Sequence, residues 1–63
     1  MNESYYKIMK LTQPKMLEQI EKLMQQPGMT PSLIYNLVKR DLPQLASLAK
    51  RVAEYIESQR DPF

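Results

Sequence analysis

The sequence predicts an all-α fold, a small bundle of three to four helices within a single domain spanning residues 1–63. Two observations carry this. Apolar residues recur every three or four positions, never in the alternation of a half-buried strand. Proline and hydroxyl or carboxamide residues also punctuate the chain at intervals of one short helix. The segments fall at about residues 3–11, 13–26, 31–40 and 42–59, the last being the longest and most amphipathic.

Asn2 is placed to cap the first segment, whose Tyr5, Ile8 and Met9 share one side. Thr12 is placed to cap the second, with Pro14 in the first turn, where a missing N–H costs nothing. There Met16, Leu17, Ile20, Leu23 and Met24 form an apolar stripe, while Glu18 and Lys22 make a favourable i,i+4 pair facing solvent. Pro27-Gly28 ends that helix. Thr30-Pro31 repeats the start signal, and Leu33, Ile34, Leu37 and Val38 then give the third segment the widest apolar arc for its length. It is therefore expected to be the most central helix. Asp41 is placed to cap the fourth segment, with Gln44 as capping-box partner and Pro43 in the first turn. About half its circumference is apolar. Asp61-Pro62-Phe63 is expected to form a short tail beyond it.

Composition excludes most chemistry. The 63 residues contain no His, Cys or Trp, which removes the neutral-pH acid–base group, the readiest nucleophile and the soft metal ligand. The serines lack an activating histidine, and Glu18 and Glu21 have no third ligand beside them. No catalytic residue, metal, cofactor or small-molecule substrate is expected. The absence of Cys fits a reducing compartment, so a cytoplasmic location is expected. No apolar run is long enough for a bilayer, and the first residues lack the basic start and apolar stretch of a signal peptide.

Four amphipathic helices carry more apolar surface than so short a chain can hide, which points to a regulatory or adaptor protein that binds another protein or a second copy of itself. The fourth segment is the simplest homodimer or partner interface, through Leu45, Leu48, Val52, Tyr55 and Ile56. Met9, Met16, Met24 and Met29 are core fillers whose adaptable side chains would also suit an interface.

Charge is uneven. Net charge is +2, but residues 30–51 hold Lys39, Arg40, Lys50 and Arg51 against Asp41 alone. Gly28, Met29, Ile34 and Leu37 stand where the turn glycine, the apolar residue after it and the buried positions of a recognition helix stand in helix-turn-helix DNA-binding units. Residues 20–40 resemble that unit over this span only. The resemblance implies a DNA-binding regulator as the alternative function. Thr30, Ser32, Tyr35, Asn36, Lys39 and Arg40 would then meet nucleic acid, or equally an acidic protein. Met24 stands where the family keeps a small residue, and Pro27 where it keeps an apolar helical one. Both imply a wider connection between the two helices than the family has.

Overall fold

The computed structural model describes residues 2–60 and bears out the all-α bundle. Its helices are α1 (Asn2–Thr12), α2 (Pro14–Met24), α3 (Pro31–Asp41) and α4 (Ala46–Ser58), with one 3-10 turn, Pro43–Leu45, leading into α4. The expected tail, Asp61-Pro62-Phe63, lies outside the described residues.

Helix ends follow the expected residues only in part. Thr30 caps α3 as the sequence implies: its backbone is extended, and its Oγ1 accepts from the Leu33 N–H at 3.2 Å, with Pro31 opening the helix. Thr12 does not cap α2. It is the last residue of α1, and its hydroxyl donates back to the Ile8 carbonyl at 2.8 Å. Gln13 occupies the cap position, its N–H still bonded to the Met9 carbonyl at 2.7 Å, and no side chain caps α2. Asp41 likewise closes α3 rather than opening α4. The Leu42 N–H continues α3's ladder to the Val38 carbonyl at 2.7 Å, and Pro43 then forces a tighter turn that no side chain caps. Asn2 lies inside α1, where its amide donates to Glu54 Oε1 at 3.2 Å and ties α1 to α4. The ion pair formed among the described residues is Lys7–Glu3 at 3.7 Å, not Glu18–Lys22.

The largest correction concerns which helix is central. It is α4, which packs against α1, α2 and α3, whereas α3 packs chiefly on α4 alone. The cause is visible in α4's inner face: Ala46, Ala49 and Ala53 stand at i, i+3 and i+7 around Val52, and all four are buried. Small side chains let three neighbouring backbones approach closely, so a helix rich in alanine serves as the post of the bundle. Met9, Leu17, Ile20, Met24 and Ile34 close over this face. Met16 and Met29 pack at its margin, completing the filling role expected of the methionines. By contrast α3 buries only Ile34 completely, leaving Leu33 45% and Leu37 41% exposed. Its wide apolar arc exceeds what one neighbour can cover.

Candidate functional site

Leu37 of α3 and Leu42, just past the helix, edge a groove. α2 and α3 are consecutive in the chain, yet they do not pack side by side; α2 packs on α4 and α1 instead. Gln25 and Gln26 carry the chain off α2 in a turn, and Gly28, with φ of +82°, redirects it toward Thr30. The opening left between the helices has a volume of about 300 Å³. Met16, Ile20 and Leu23 form one wall, and Leu37, Val38 and Leu42 the other. Gln19 on the α2 side and Arg40 with Asp41 on the α3 side supply its polar edge. Leu42 is 38% exposed, and Leu33, one turn before Leu37 on α3, is 45% exposed. Met24, at the end of α2, is fully buried.

The interface expected on α4 is different in kind. Val52 is 0% exposed and belongs to the core, so it is unavailable to a partner. Leu48 and Ile56 pack against that core, and Leu45 is half-buried in the 3-10 turn. Tyr55 is half-buried with its ring centroid 5.1 Å from that of Tyr6. Tyr6 in turn donates its hydroxyl proton to Glu21 Oε2 at 2.8 Å. That hydrogen bond, followed by burial and the nearby Glu21 charge, raises the Tyr6 phenol above its ordinary value. The apolar half of α4 is thus largely consumed within the chain.

The polar residues singled out on α3 divide between two surfaces. Ser32, Asn36, Lys39 and Arg40 are exposed and Tyr35 is half-buried, while Thr30's hydroxyl oxygen is committed to the helix cap. Arg40 stands at the groove, one turn past Leu37. Tyr35 and Lys39 lie on the opposite side, with the Lys39 ammonium 5.6 Å from the Tyr35 ring centre. There Tyr35 joins Ser47, Lys50, Arg51 and Glu54 around a shallow depression between α3 and α4. Arg51 also lies 5.5 Å from the ring centre of Tyr5, so one cation bridges α4 to α1.

Sequence reasoning assigned Leu33 and Leu37 to the core and did not single out Leu42 as part of a site. The available signal was the mismatch between α3's wide arc and its short length, together with the departures at Met24 and Pro27. Among the described residues no group of His, Cys, Asp or Glu is arranged to hold a metal ion, and no helix is long and apolar enough to cross a membrane. No protein-family model, no curated protein and no solved structure matches this chain.

Proposed function

We propose that this protein is a non-catalytic interaction module that docks another protein chain in the groove between α2 and α3. One observation carries the reading: Leu37 and Leu42 stand 41% and 38% exposed along the edge of a concave apolar surface. Burying such side chains is worth about 25 cal/mol per Å². A monomer gains nothing by leaving them beside a cleft, whereas a partner that fills the cleft recovers that free energy. The lack of His and Cys supports a binding role over a catalytic one. An adaptor, inhibitor or modulator of the bound protein fits this reading.

Paired affinity capture tests it, using the native chain and a Leu37→Asp variant with and without nuclease treatment. A protein retained by the native chain, lost from the variant and indifferent to nuclease is the expected result. Identical captures by both chains would remove the groove from the function.

A second reading, a DNA-binding regulator, is favoured by a separate observation: Ser32, Asn36, Lys39 and Arg40 of α3 are all exposed. Under it, the chain retards duplex DNA in a salt-sensitive manner, and Lys39→Glu with Arg40→Glu abolishes the shift. Retention of DNA by that double variant would remove α3 from nucleic-acid contact.

A further inference from the structure

We propose that the occupant of the α2–α3 groove is an amphipathic helix of another protein whose apolar ridge is flanked by acidic side chains. This rests on the groove being the docking site and adds the chemistry of what fills it.

The length of the groove sets the form of the ligand. Its α2 wall runs from Met16 to Leu23, seven residues of helix or about 10 Å. That is the span of an i to i+7 ridge, the repeat by which a helix presents apolar anchors to a groove. The lining is mainly apolar, and Met16 gives it a side chain that can re-form around an incoming residue.

The edges set the charge. Lys15, Gln19 and Lys22 stand at i, i+4 and i+7 on α2 and form one exposed stripe. Gln19 lines the groove, so both lysines stand along the same edge. Glu18 lies on the far side of those lysines from the groove, by the helical phase of α2. Across the opening, Arg40 supplies a third cation, with Asp41 the acid beside it. Among the described residues the only ion pair is Lys7–Glu3, and no described carboxylate lies within 4.0 Å of the Lys15, Lys22 or Arg40 cation. A greasy trough with Lys15 and Lys22 along one edge, and Arg40 beside Asp41 on the other, carries a net positive rim that matches a helix with acidic flanks. A second copy of this chain is a poorer match. The exposed Ile8 and Leu11 of α1 are accompanied by Lys7 and Lys10, and α3's leucines by Lys39 and Arg40, so either would set cation against cation.

Two fluorescently labelled helical peptides of about 15 residues, sharing one leucine ridge and differing only in Glu or Lys flanks, test the proposal by anisotropy titration. The Glu-flanked peptide is expected to bind on the order of tenfold more tightly at low salt, an advantage that shrinks as salt is added. Amide chemical-shift changes should centre on Gln19, Leu23, Leu37 and Leu42. The exposed pair Lys15→Glu and Lys22→Glu, folded by circular dichroism, should reverse the preference. Equal binding of both peptides in the groove overturns the acidic partner and leaves the docking site standing. No binding of either peptide to the folded chain overturns both. Self-association abolished by Leu37→Asp would assign the groove to a second copy and overturn the proposal.

Discussion

Single residues decide where the chain turns. Gly28 is the one glycine, and its φ of +82° is a conformation that a side chain disfavours, although a Cβ there would meet nothing within 4 Å. Gly28→Ala should therefore destabilise by about 1 kcal/mol through backbone strain alone, read as a lower urea midpoint with an unchanged slope. The two threonines make a controlled pair. Thr30→Ala removes the oxygen that accepts the Leu33 N–H and should cost about 1 kcal/mol, whereas Thr12→Ala, which removes no cap, should stay within about 0.5 kcal/mol. Tyr6 gives a pH signature. Its phenol is held protonated by its bond to Glu21, so the unfolded chain releases this proton at a lower pH than the folded chain does. The stabilisation is full below the ordinary phenol value of 10.0 and declines as pH rises from there through the raised folded-state value. A Tyr6→Phe chain, unfolded by urea at successive alkaline pH values, should lack that part of the decline.

At the scale of elements, the alanines of α4 govern the packing. Ala53 is fully buried, so Ala53→Leu should overpack the core and cost about 1–3 kcal/mol. On α3, Ile34→Ala should cost about 2–5 kcal/mol, while Leu37→Asp on the same helix should change stability by about 0.5 kcal/mol or less, both measured by urea unfolding. These contrasts also mark how much the sequence revealed. Helix existence and the cap at Thr30 were legible because they depend on residues within one turn of each other. The roles of Thr12 and Asp41 were not, since each could end one helix or begin the next, and a hydrogen bond to a carbonyl of the preceding turn decided between them. The centrality of α4 was missed for a related reason. Alanine ranks low as a core-former by hydrophobicity, while its value here is that it is small, a property that matters only once the neighbours are known. The groove was not legible: α3's wide apolar arc taken alone points to a central helix, and only the packing shows that α4 alone chiefly covers it while α2 stands apart.

The whole molecule is organised around the helix that comes after the other three in sequence. Among the described residues every other α-helix packs on α4, and the only other α-helix pair with substantial packing is α1 with α2. The radius of gyration, 10.7 Å, is close to the value of about 10.6 Å expected for a compact chain of this length, so the groove does not come from a loose fold. A chain truncated after Asp41 keeps α1, α2 and α3 but loses the surface that all three bury. Its far-UV circular dichroism should fall to that of a largely unfolded peptide, whereas truncation after Gln59 should leave the spectrum intact. During synthesis, then, the first two-thirds of the chain emerges with nothing to condense upon, and its methionines and leucines stay open to chaperones and proteases. Folding waits for Ala46–Ser58 to emerge and should proceed as one cooperative event rather than helix by helix.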